Sequence, residues 1–136
     1  MAIPAELRQH AEELQGATGV AVDLIDEPDR IFVVLSKVPL PPGLLSKDAS
    51  DVLYLADQQY PLSSMDMFWT DVDLVRRDGS VPGNADSIEQ YAGRSWRRFS
   101  WHRNGSWNPA GNPLLDHHAF MEARWQREME LQGVAR

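Results

Sequence analysis

The chain has 136 residues, 43% hydrophobic and 24% charged, an ordinary composition for one folded domain with a single core. The formal net charge of −7 argues against general binding to a nucleic-acid backbone, which needs a positive field. The absence of cysteine excludes disulfides, thiolate metal sites and a cysteine nucleophile.

The N-terminal stretch MAIPAELRQHAEELQ lacks the basic region and apolar core of a signal peptide. No apolar run approaches the roughly 18 residues of a membrane span. A cytoplasmic location with no membrane partner is expected. Residues 4–15 predict a short helix, with Pro4 in its first turn, Gly16 and Gly19 stopping it, and Leu7, Ala11 and Leu14 on one apolar face.

Residues 20–26 (VAVDLID) and 31–38 (IFVVLSKV) read as two strands joined by the turn residues Glu27 to Arg30. The proline-rich residues 39–50 predict a loop, because proline has no donor for a central ladder. Residues 51–58 are a third strand, with Leu53 and Leu55 on one face and Val52 and Tyr54 on the other. After the turn at Tyr60 to Ser64, residues 65–71 (MDMFWTD) predict a fourth.

Residues 72–95 look irregular, with a single helical turn at Ser87 to Gln90, and an irregular stretch of that length is often functional. Trp96 to Trp101 is a short strand or an extended segment. Asn112 then caps a helix with Pro113 in its first position, ending at Gly133. Leu114, His118, Met121 and Trp125 share one face of that helix. The fold class is α+β: a helix, a four-stranded antiparallel meander, an irregular segment and a second helix.

This order resembles the ubiquitin-conjugating (UBC-like, E2-type) fold. That fold has a Tyr-Pro turn before its fourth strand, matched by Tyr60-Pro61, and an aromatic and a threonine near the strand's end, matched by Met67-Phe68-Trp69-Thr70. It also has a Trp-Ser-Pro before a helix, matched by Trp107-Asn108-Pro109. The wording YPLSSMDMFWT…FSWH…WNP is similar to prokaryotic E2 family E. The resemblance covers residues 20–132, and residues 1–136 are expected to form a single UBC-like domain.

Two departures stand out. The family's cysteine belongs seven or eight residues before Trp107, where this chain has Phe99 and Ser100. The histidine-proline-asparagine motif is reduced to Val81-Pro82-Gly83-Asn84, with Asn84 an approximate match to its asparagine.

The resemblance implies a transferase that takes a ubiquitin-like modifier from an E1-like activating enzyme and passes it to an amine. A serine does not ionise usefully and needs a base within hydrogen-bond reach. His102, two residues away and on the same side of an extended chain, is the local candidate. The implied catalytic set is Ser100, His102 and Asn84, with Asn104 or backbone N–H groups as further oxyanion donors. Arg97, Arg98, Arg103 and Trp101 are the expected contacts for the modifier's tail. The alternative is a catalytically silent E2 variant, a scaffold for a ubiquitin-like protein or for an active E1 or E2 partner, including a second E2-like subunit. A serine left where a cysteine was lost, or placed there by engineering, fits the same sequence. Phage defence is a setting implied by the resemblance alone, as is a bacterial origin.

Other features read more simply. Arg94, Arg97, Arg98 and Arg103 form a basic cluster suited to an acidic protein surface or a terminal carboxylate, or are four solvated side chains. His117 and His118 point about 100° apart on a helix and do not share one ion readily, so no metal and no cofactor are expected. His118 reads as a satisfied core histidine. Trp96, Trp101, Trp107 and Trp125 read as core and active-site wall rather than base-stacking platforms. Asp66, Asp71, Asp73 and Asp78 read as solvated.

Overall fold

The computed structural model describes residues 3–103 and 107–133. The first helix, α1 (Ala5–Thr18), starts after Pro4, whose carbonyl accepts from the Leu7 and Arg8 amides. It runs through Gly16 and stops at Gly19, which takes the left-handed conformation (φ 74°) and donates its N–H to Gln15 O at 2.8 Å. Glycine ends this helix only where a positive φ is required. Leu7, Ala11 and Leu14 are all buried, as their spacing predicts.

Among the described residues the sheet has six strands, not the four expected. They are β1 (Val22–Asp26), β2 (Ile31–Pro39), β3 (Ala49–Ala56), β4 (Phe68–Thr70), β5 (Ser87–Tyr91) and β6 (Arg94–Phe99). The spatial order is β1-β2-β3-β4-β6-β5 and every pair is antiparallel. The first four strands form the expected meander. The additional pair is a hairpin drawn from the segment read as irregular. Ser87 to Gln90 is strand rather than helical turn because Ala92 (φ 51°) and Gly93 (φ 75°) close a two-residue turn that folds β5 onto β6.

Pro39 ends β2 opposite Ala49, beyond the stretch of β2 that pairs with β1, so its missing donor costs no ladder bond on that side. The second helix, α2 (Pro113–Gln132), begins at Asn112, whose side chain accepts from Leu115 N at 3.0 Å, and ends at Gly133.

Alternation along β3 divides the interior. Val52 and Tyr54 join α1 and α2 in the main core, with Phe68, Phe99, Trp101, Leu114, Met121 and Trp125. Leu53 lies on the other face, in a smaller cluster with Phe32, Trp69 and Trp96. Phe68 stacks on Phe99 at 5.1 Å between centroids, and Trp101 and Trp125 meet both rings edge-on. His118 is buried and bonded to the Tyr54 hydroxyl at 2.8 Å, a satisfied core histidine. No helix among the described residues is long and apolar enough to cross a membrane.

Candidate active site

The stretch after β6 carries the expected site. Phe99 and Trp101 are buried, whereas Ser100 is half-buried and His102 exposed, so the alternation of the strand persists past its last paired residue. Two bonds tie the turn at residues 82–85 to this stretch. The Ser100 amide donates to Asn84 O at 2.9 Å, and the Trp101 indole N–H donates to Gly83 O at 2.8 Å. Asn84 sits in the left-handed region (φ 62°), one that asparagine tolerates better than most residues. Ser100 and Asn84 are therefore neighbours.

Ser100 and His102 have different partners. Ser100 Oγ accepts from Arg98 Nε at 2.9 Å. His102 Nδ1 lies 2.6 Å from Asp66 Oδ2, with the histidine side chain 66% exposed. Asp66 precedes β4, whose Phe68 pairs with Phe99, so the register brings it to the end of β6. Asp66 also accepts from the Arg103 amide at 3.1 Å and from the Met67 amide at 3.0 Å. Burial opposes its ionisation, but the hydrogen bonds from His102, Arg103 and Met67 prevail and hold the carboxyl below its ordinary range.

The four arginines are separately engaged rather than gathered in one open patch. Arg94 pairs with Asp51 and Asp71, both at 2.8 Å, and stacks on Trp96. Arg97 donates to the carbonyls of Val72 (3.0 Å) and Ala85 (2.6 Å), clamping the irregular segment to β6. Arg98 reaches Glu89 at 3.0 Å. Arg103 lies over the Trp107 ring and reaches His117 Nδ1 at 3.3 Å. Of the four, Arg103 lines a cleft of about 200 Å³ with Ser64, Met65, Asp66 and Trp107. Trp101, expected to touch the modifier's tail, is 5% exposed and its ring packs in the core. Asn104 lies outside the described residues.

The histidines on α2 also diverge. His117 Nε2–H donates to Met67 O at 2.7 Å, which leaves Nδ1 to accept from Arg103. Its pKa is lowered to about 4, chiefly by burial, with the Arg103 charge adding to the effect against the Met67 carbonyl. His117 is therefore a neutral spacer that fixes Arg103 and Met67 on either side of the His102–Asp66 pair.

Sequence reasoning singles out Ser100, His102, Asn84 and Arg103 and assigns no role to Asp66, Glu89 or His117, which bond to His102, Arg98 and Arg103 respectively. Asp66 is exposed, as its turn context predicts, and is also the partner of His102. Asp71, also expected to be solvated, holds Lys47 and Arg94, and its side chain is 15% exposed. No local pattern marks either carboxylate, because their partners are distant in the sequence.

An N-terminal helix, an antiparallel sheet that begins as a meander and a C-terminal helix are compatible with the E2-like class. The chain belongs to prokaryotic E2 family E, whose model matches residues 7–129. An E2-like ubiquitin-conjugating role follows from that membership, with a ubiquitin-like modifier and an E1-like enzyme as the associated partners. Neither a curated protein nor a solved structure matches the chain.

Proposed function

We propose that the protein is a bacterial, cytoplasmic carrier that accepts a ubiquitin-like modifier from an E1-like enzyme as an oxyester on Ser100 and passes it to an amine. The observation that carries this reading is the placement of Ser100: half-buried, next to Asn84, and two residues from a histidine held by a carboxylate. Asp66 accepts from Nδ1–H and so leaves Nε2 of His102 with the lone pair that a base needs. The His102 ring, exposed and bonded to Asp66 rather than to Ser100 in this structure, comes within reach in the loading step and takes the Ser100 proton as Oγ attacks the activating enzyme's thioester. Asn84, whose backbone carbonyl holds the Ser100 amide, is the proposed oxyanion donor, and Arg103, lining its cleft, holds the tail; Arg97 supports the loop from beneath.

A second reading, the binding scaffold, rests on a different surface. Leu62 is 78% exposed beside a cleft of about 640 Å³ lined by Glu6, Tyr60, Pro61, Pro109 and Ala110. An exposed apolar residue over an open cleft suits a protein partner, either the E1 or a second E2-like subunit.

Incubation with the activating enzyme, ATP and modifier separates the two. The carrier reading expects a hydroxide-labile, thiol-resistant adduct that Ser100→Ala abolishes. A stable complex with no adduct supports the scaffold instead. Conjugation in phage defence is the setting we infer for either.

A further inference from the structure

A serine carrier faces a difficulty that a cysteine carrier does not. In transfer the carrier oxygen must leave, and a serine alkoxide is a far poorer leaving group than a thiolate. The residues around Ser100 Oγ contain a group suited to that difficulty.

Arg98 lies two residues before Ser100 on the same face of the chain, opposite Trp69 on β4 and Ser87 on β5. Its Nε–H donates to Ser100 Oγ at 2.9 Å. Its Nη1 donates to Glu89 Oε2 at 3.0 Å and its Nη2 to Ser87 Oγ at 3.4 Å. Glu89 is itself fixed, since Oε1 accepts from the Trp69 indole N–H at 2.8 Å and from the Tyr91 hydroxyl at 3.4 Å. All of these groups are partly buried, so the guanidinium is held in one plane with one N–H aimed at the serine oxygen. A guanidinium carries only donors in a fixed fork, so Arg98 acts here as a positioned donor.

We propose that Arg98 is a catalytic residue of the carrier reaction, stabilising the negative charge on Ser100 Oγ, and that Glu89 is its positioning residue. The inference rests on the oxyester reading above and replaces a tail-binding role for Arg98. In loading, the Ser100 hydroxyl proton passes to His102, the Oγ–C bond forms, and the thioester C–S bond of the activating enzyme breaks with departure of its thiolate. In transfer, the amine nitrogen attacks the ester carbonyl, the C–N bond forms and the C–Oγ bond breaks. Oγ departs toward the Arg98 Nε–H and recovers its proton from the His102 imidazolium, and the surplus proton of the amine goes to water. The contact strengthens as charge grows on Oγ in both steps, which is the condition for a rate effect.

The test compares Arg98→Gln, Arg98→Lys and Glu89→Gln in the wild-type and Ser100→Cys backgrounds, following adduct loading and its discharge to free lysine. With Ser100, Arg98→Gln is expected to slow discharge by about 100-fold, the effect typical of removing one oxyanion donor. Arg98→Lys, which keeps the charge and loses the plane, is expected to recover part of this rate. Glu89→Gln is expected to show a smaller loss in the same direction. In the Ser100→Cys background the losses are expected to shrink to a few-fold, because a thiolate departs unaided. Equal losses in both backgrounds would overturn the proposal and assign Arg98 to folding or tail binding. If wild-type protein forms no oxyester while Ser100→Cys forms a thioester, the serine-carrier reading itself falls, and the Arg98 role with it.

Discussion

Asp66 Oδ2 accepts from His102 Nδ1 at 2.6 Å, joining the segment before β4 to the segment after β6. The carboxylate has only lone pairs to offer, so the shared proton belongs to Nδ1, and the neutral ring is fixed in the tautomer with a basic Nε2. Asp66→Asn keeps the size and removes this preference, because an amide donates to Nδ1 as readily as it accepts. Loading of Ser100 is expected to fall by about 10²-fold, within the range of general-base contributions. Single-turnover loading rates across pH check it. An unchanged rate would remove Asp66 and His102 from the reaction.

His117 makes stability depend on pH. An unfolded histidine titrates near 6.5 and the native ring only near pH 4, so between these values the unfolded chain binds a proton that the native protein does not. The resulting stability is complete above pH 6.5 and is lost on acidification. The slope is about 1.4 kcal/mol per pH unit, which gives about 2 kcal/mol lost from pH 6.5 to pH 5. His118 is also lowered, by burial against the opposing pull of Glu122, and adds loss of the same sign. Asp66 adds its own loss only as pH falls through and below the ordinary 3.8 of its carboxyl. Urea denaturation at the two pH values is expected to show a smaller acid loss in His117→Gln than in wild type.

Glu128 is 2% exposed and takes Arg76 at 2.6 Å, joining α2 to the segment after β4. Arg76→Met leaves a buried carboxylate without its cation, a change that costs about 3 kcal/mol or more. Adding Glu128→Gln to that variant is expected to recover much of the loss. Chemical denaturation of the two single variants and the double variant measures the coupling. Additive losses would mean that the pair contributes nothing beyond packing.

The aromatic cluster under the site is expected to be the most costly place to remove volume. Phe68 is fully buried and meets Phe99, Trp101, Phe120 and Trp125. Phe68→Ala is expected to cost about 3–5 kcal/mol. Thermal melting compared with Leu62→Ala, at an exposed position, checks it; similar effects at both positions would contradict the burial argument.

Both helices and the first three strands were legible because their signals are local. Asn112 caps, Gly19 and Gly133 stop, and alternation in β3 sorts Val52 and Tyr54 from Leu53. The β5–β6 hairpin was not legible. Its turn depends on Ala92 at positive φ, a conformation that alanine does not advertise, and Ile88 on β5 is exposed. The site divides in the same way. Ser100 and Asn84 were found through their place in the chain order, and the fold brings them together. Asp66 is 36 residues from His102 and Met67 is 50 from His117, so only the sheet register and the helix packing create those contacts.

The clamp on Arg103 and Met67 has a consequence for synthesis. Chains emerge N-terminus first, so Ser100, His102 and Asp66 leave the ribosome before His117 and Glu128. Until α2 follows, Met67 O lacks its donor, Arg103 lacks its anchor and the aromatic cluster lacks Trp125. The nascent site is therefore unset while its own residues are already exposed. The contacts around Arg103 and Met67 are complete only when the second helix docks.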